Sequence, residues 1–142
     1  MKTIRELYEE LQKDAAYMDL AAPVKRTGAY DRLPSQLREL LDCFNGGEIY
    51  VPGTVIYGLS GEQNLKWANN PEHRARFRLP SDAMVIAKEN FGDLICLKLR
   101  PPCQVIQWDH ERDCEFRRWD SLASWLTEEI AIGRQLVAEM ED

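Results

Sequence analysis

Apolar residues recur at helical spacing at both ends of the chain and at strand spacing between them. Near the N-terminus Ile4, Leu7, Leu11, Ala15 and Met18 fall on one face of a charged stretch, predicting a helix over 3–20. Thr3 and Glu6 have the spacing of a capping box at its start. Residues 21–32, with Pro23 and Gly28, read as a connector. A second helix is predicted over 33–44. Pro34 suits its first turn, and Leu37, Leu40, Leu41 and Phe44 form its apolar face. Asn45, Gly46 and Gly47 then stop it, since Asn and Gly tolerate the left-handed conformation that ends helices.

Strand-like runs follow. Residues 49–59, interrupted by Gly53, read as one bent strand or two short ones. Residues 84–88, 94–99, 104–109 and 115–119 are further candidates, separated by turns at Phe91-Gly92-Asp93, Pro101-Pro102 and the polar run Asp109 to Asp113. Connections this short join antiparallel neighbours, because parallel pairs need a crossover of about a dozen residues or more. A last helix is predicted over 121–140, capped by Asp120 or Ser121. Its stripe is Leu122, Trp125, Leu126, Ile130, Gly133, Leu136, Val137 and Met140. The expected fold class is α+β: one domain over 1–142, with a mostly antiparallel sheet of about 4–6 strands packed by helices from both ends.

The order of these pieces resembles the SUKH superfamily, the Smi/Knr-like group of bacterial toxin-immunity proteins and fungal regulators of cell-wall synthesis. The carrying positions are Leu33-Pro34, Leu37, Leu41, Asn45-Gly46-Gly47, Gly92-Asp93-Leu94, Cys96-Leu97, Val105, Trp108-Asp109-His110 and Leu122 to Leu126. The resemblance spans roughly residues 30–130. Trp125 departs from it, since members commonly carry Phe there, and residues 61–80 align to nothing in the family pattern. The resemblance implies a protein-binding module without enzymatic activity or cofactor, an immunity protein that binds and neutralises a cognate protein toxin, a nuclease in the first instance. The alternatives it leaves are a regulatory adaptor for another cytosolic protein and, more remotely, a small enzyme built on Asp109-His110-Glu111.

Composition narrows the partner. Of 142 residues, 44% are hydrophobic and 30% charged, as in a globular chain, and no apolar run approaches the ~20 residues of a membrane span. The charged N-terminus lacks the apolar stretch of a signal peptide, so a cytoplasmic location is expected. The net charge of −6 argues against nucleic acid as the partner. An acidic surface speeds encounter with a basic partner, and nucleases are basic because they bind phosphate backbones. The densest exposed carboxylates are expected around the turn after residue 108, so Asp93, Asp109, His110, Glu111 and Asp113 are the candidate partner-binding residues.

Other chemistry has less support in the residues. The Asp109-His110-Glu111 run could serve acid–base catalysis, but such groups are usually assembled from distant residues, and a polar turn accounts for it. Asn45-Gly46-Gly47 lacks the spacing and lysine of a phosphate loop. Cys43, Cys96, Cys103 and Cys114 form no CxxC pair and read as reduced, buried side chains. A zinc set of Cys103, His110, Cys114 and His73 matches no common ligand spacing. The basic cluster from His73 to Arg78 reads as a helix of solvated arginines, or one paired with the acidic excess.

Overall fold

A computed structural model describes residues 1–141. Asp142, one of the C-terminal carboxylates, lies outside the described residues. The sheet has seven strands in sequential order, every neighbouring pair antiparallel: β1 (Asp19–Leu20), β2 (Gly47–Ile49), β3 (Thr54–Ile56), β4 (Ala83–Lys88), β5 (Leu94–Lys98), β6 (Val105–Asp109) and β7 (Cys114–Trp119). The expected α+β class holds, with one strand more than the expected range. The additional strand is β1, two residues long and too short to leave a period-2 signal.

The helices are α1 (Ile4–Lys13), α2 (Gly28–Asp31), α3 (Ser35–Cys43), α4 (Leu65–Ala68), α5 (Pro71–Arg76) and α6 (Leu122–Glu141). The expected helix over 3–20 is therefore broken. Its capping box forms, with Glu6 N–H donating to Thr3 Oγ1 at 3.1 Å and Thr3 N–H to Glu6 Oε1 at 3.0 Å. After Lys13 the chain passes through a 3-10 turn at Ala15–Tyr17 into β1. Asp14 is the reason to stop there: its carboxylate accepts from Tyr50 Oη at 2.6 Å and Arg134 Nε at 2.8 Å, which binds this corner to β2 and α6.

Asn45, Gly46 and Gly47 end α3 as expected, with φ of 78° at Gly46 and 140° at Gly47. They also do more than stop a helix. A Cβ on Gly46 would lie 2.5 Å from the Gly58 nitrogen, and one on Gly47 would lie 2.2 Å from the Asp19 carbonyl oxygen. Asn45 accepts from Leu59 N–H at 2.7 Å and donates to Ser60 Oγ at 2.8 Å, so the motif is the junction of α3 with β1 and the chain leaving β3. Pro34 stands one position before the helix rather than inside it, and Leu33 is half-buried beside it.

Every residue of β5 from Leu94 to Leu97, and of β6 from Val105 to Trp108, is buried. Adjacent strand residues face opposite sides, so this sheet is covered on both. On one side α4 and α5 close over β4 and β6, with Trp108 Nε1 donating to the Phe77 carbonyl at 2.7 Å. On the other, α1, α3 and α6 pack together, with Leu37, Leu41, Leu122 and Trp125 fully buried. The α6 stripe is core only in its first half. Leu136 and Met140 are exposed at 52% and 74%, while Val137 between them stays packed against the core. Strand β7 is an exposed edge; its Arg117–Glu128 and Arg118–Glu115 pairs place charge where another strand would otherwise add.

Candidate functional site

Two of the motifs converge at the end of β5 and β6. Asp93, just before β5, is buried at 7% exposure and receives three hydrogen bonds: from Gln107 Nε2 at 2.8 Å, from His110 N–H at 3.1 Å, and from His110 Nδ1 at 2.6 Å. Burial alone would push its pKa up, but these donors outweigh burial and hold the carboxyl below its usual value. An ionised carboxylate only accepts, so Nδ1 carries the proton and Nε2 is the free ring nitrogen. Gly92 completes the seat. Its φ is 109°, and a Cβ there would come within 2.8 Å of His110 Nε2. The Gly92-Asp93 pair and His110 are thus one device that fixes the imidazole at the start of the β6–β7 turn.

The turn itself is built by Asp109, whose Oδ1 accepts from Glu111 N–H at 2.9 Å and Arg112 N–H at 3.1 Å. Asp113 closes it in the left-handed conformation, at φ 52°. Glu111 is the outermost group, with its side chain 81% exposed and one carboxylate oxygen 3.8 Å from His110 Nε2. Of the candidate partner-binding residues, Glu111 therefore offers charge outward, while Asp113 is half-buried and lies on the wall of the neighbouring cavity. Asp109 is committed to the turn, and Asp93 is an internal anchor rather than a contact surface.

Asp93, Asp109 and His110 each bring a possible ligand atom within 4.8 Å of the others, the only such three-residue group among the described residues. Its donor set is taken up internally: both Asp93 oxygens and Asp109 Oδ1 accept hydrogen bonds, and His110 Nδ1 is protonated toward Asp93. The arrangement is a complete hydrogen-bond cluster and is a poor fit for a cation. Cys103, His110, Cys114 and His73 do not gather into a zinc set. Cys43 and Cys96 are buried as expected, whereas Cys114 is exposed because β7 is an edge.

Residues 61–80 form the wall facing this cluster. Asn69 substitutes for a strand partner there: its Oδ1 accepts from Val85 N–H and its Nδ2 donates to Val85 O, both at 2.8 Å, beside the irregularity in the β4–β5 register. Arg74 donates to Asn69 Oδ1 at 3.1 Å and to the carbonyls of Ala83 and Pro80, both at 2.7 Å. Arg76 and Arg78 are exposed, as in the expected helix of solvated arginines, but Arg74 is not: it staples α5 to β4. Nothing in the sequence marks either contact, since both join side chains to distant backbone. Between this wall and the His110 turn lies a cavity of about 440 Å³, lined by residues of α4, α5, β4 and β5 and by residues just after β3 and β6.

The motifs that seat His110 and join α3 to the sheet are those that carry the SUKH resemblance. The model of the SMI1 / KNR4 family (SUKH-1) matches residues 28–128, well over half of the chain. The chain belongs to the SMI1 / KNR4 family. The match includes residues 61–80, so the wall of the cavity lies inside the family domain rather than beside it. Comparison with curated proteins finds no significant match. SMI1 / KNR4 membership fits a toxin-immunity or regulatory role. Among the described residues no helix is long and apolar enough to cross a membrane.

Proposed function

We propose that this SMI1 / KNR4 protein is an immunity protein: a non-enzymatic binder that neutralises a basic protein toxin, a nuclease in the first instance, in the cytoplasm of the producing cell. The observation that carries the reading is the rigid acidic turn between β6 and β7 on a family fold given to protein binding. Asp93 and His110 anchor the turn from inside, Glu111 projects from it, and Asp113 adds at its end a carboxylate unpaired among the described residues. A preformed turn loses little conformational entropy on docking, and its carboxylates favour encounter with a positive surface. Under this reading the Asp109-His110-Glu111 run is architecture, since Asp109 and His110 are occupied in holding the turn.

The test is co-expression with the products of adjacent genes. A toxin whose lethality is lifted by this protein, and which forms an isolable complex with it, supports the proposal. Toxicity unchanged by co-expression, with a complex formed instead with a non-toxic regulatory protein, replaces it by the adaptor reading.

A further inference from the structure

The cavity between α4–α5 and the His110 turn has a lining that the partner reading leaves unexplained. Its walls hold three aromatic rings, Tyr57, Trp67 and Phe77, and four basic side chains, His73, Arg76, Lys88 and His110. The rings are ordered against one another. Trp67 meets Tyr57 edge-on at 6.0 Å between centroids, and the His73 ring stands edge-on to Trp67 at 4.4 Å. Arg74, through its bonds to Pro80 and Ala83, holds the helix that carries His73, Arg76 and Phe77.

Two features mark the lining as unfinished. Tyr57 is buried at 3% exposure, but its hydroxyl stays accessible at the cavity it borders and has no hydrogen-bond partner within the protein among the described residues. A phenol that faces a cavity without a protein partner is a donor open to water or to a ligand. Arg76 and Lys88 join no ion pair among the described residues, in a chain with an excess of six negative charges. Asp113 is the one carboxylate on the wall, so the lining carries a local positive balance. The volume lies in the roughly 300–1,000 Å³ range of small-molecule sites, which are lined by apolar and aromatic groups with a few polar ones.

We infer that this cavity is a binding site for a small ligand in which a planar ring carries an anionic group, a mononucleotide or an aromatic carboxylate in class. The ring would lie among Tyr57, Trp67 and Phe77, the anion would face Arg76 and Lys88, and the Tyr57 hydroxyl would donate to it. The inference is independent of the toxin reading, because no partner protein enters its test.

The full chain, labelled with nitrogen-15, is titrated with adenosine 5′-monophosphate and separately with 1-naphthoate. Inorganic phosphate and 1-naphthalenemethanol supply the charge and the ring alone. The expected result is saturable shifts at the Trp67 indole N–H and the Gly92 amide with one ring-bearing anion, at a Kd below about 1 mM, and binding of both controls roughly tenfold weaker or more. Arg76→Gln with Lys88→Gln, both exposed and so without cost to folding, should weaken binding about tenfold or more, and Tyr57→Phe several-fold. Absence of saturation with both anions overturns the inference. So does equal affinity for either control, or binding that the double variant leaves unchanged.

Discussion

Glu129→Gln should make this protein more stable at neutral and alkaline pH. Glu129 on α6 and Glu89 after β4 both lie within hydrogen-bond distance of Thr54 Oγ1, at 3.0 and 2.8 Å. A hydroxyl has one proton to give, so two ionised carboxylates cannot both be satisfied there. Burial and, behind it, the adjacent Glu89 push the Glu129 pKa up to about 9 from 4.5. A carboxyl whose folded pKa is raised contributes stability that is fully present below its unfolded pKa and is lost as pH rises through the folded value. The loss here runs from about pH 4.5 to about pH 9. At pH 7 the rise spans two and a half units, an upper bound of about 3 kcal/mol at 1.36 kcal/mol per unit. Glu129 borders an open cavity, and hydration through it reduces the expected gain to about 1–2 kcal/mol. Glutamine removes the cost: its amide donates to Glu89 and its carbonyl accepts from Thr54. Urea titrations of both proteins from pH 4 to pH 9 measure the difference. The curves should meet near pH 4 and part as pH rises. Parallel curves across that range would refute the shared-proton account of this pair.

Four further outcomes follow from the packing. Leu41→Ala should cost about 2–5 kcal/mol in a denaturant titration, since Leu41 is fully buried; a loss below about half a kilocalorie would contradict that packing. Asn69→Ala should cost about 2–4 kcal/mol, because both Val85 backbone groups lose their partner; a neutral result would mean that water replaces the amide. Gly46→Ala should cost more than the ~1 kcal/mol of an ordinary propensity change, because φ is positive and the Cβ meets Gly58. Gly92→Ala should displace the His110 ring, read as large chemical-shift changes of its ring protons; unchanged shifts would show that the seat tolerates a methyl group.

The class of fold was legible because α3, β4 to β6 and the first half of α6 each bury what their periodicity marks as apolar. The glycine motif after α3 was legible because a positive φ leaves few residue choices. Where local pattern and tertiary demand diverge, the sequence misleads. Apolar spacing continues through Ala15 and Met18, but the contacts of Asp14 with Tyr50 and Arg134 end α1 earlier. Leu136 and Met140 keep helical spacing but are exposed. At the candidate site the acidic turn was visible as composition, while its internal division of labour was not. Asp93 looks like another turn carboxylate until Gln107 and His110 are seen to close over it. The cavity was illegible because its walls come from segments that meet only in the fold, and because residues 61–80 carry short helices with side-chain caps from Asn64 and Asn70 rather than a long periodic signal.

The same anatomy decides how the partner reading is best probed. Reversing Asp109 to lysine would dismantle the turn it caps, so loss of binding would say nothing about charge. Glu111→Lys together with Asp113→Asn changes the charge of the turn, keeps the Asp109 cap, and leaves at 113 a residue that tolerates the left-handed conformation. The most direct measurement is the association rate of this double variant with the toxin isolated by co-expression, against the wild-type protein, at low and at high salt. The proposal predicts slower association of the variant at low salt, a wild-type rate that falls as salt rises, and convergence of the two where charges are screened within about 3 Å, near 1 M. Equal association rates at low salt would contradict it and remove the β6–β7 turn from the interface.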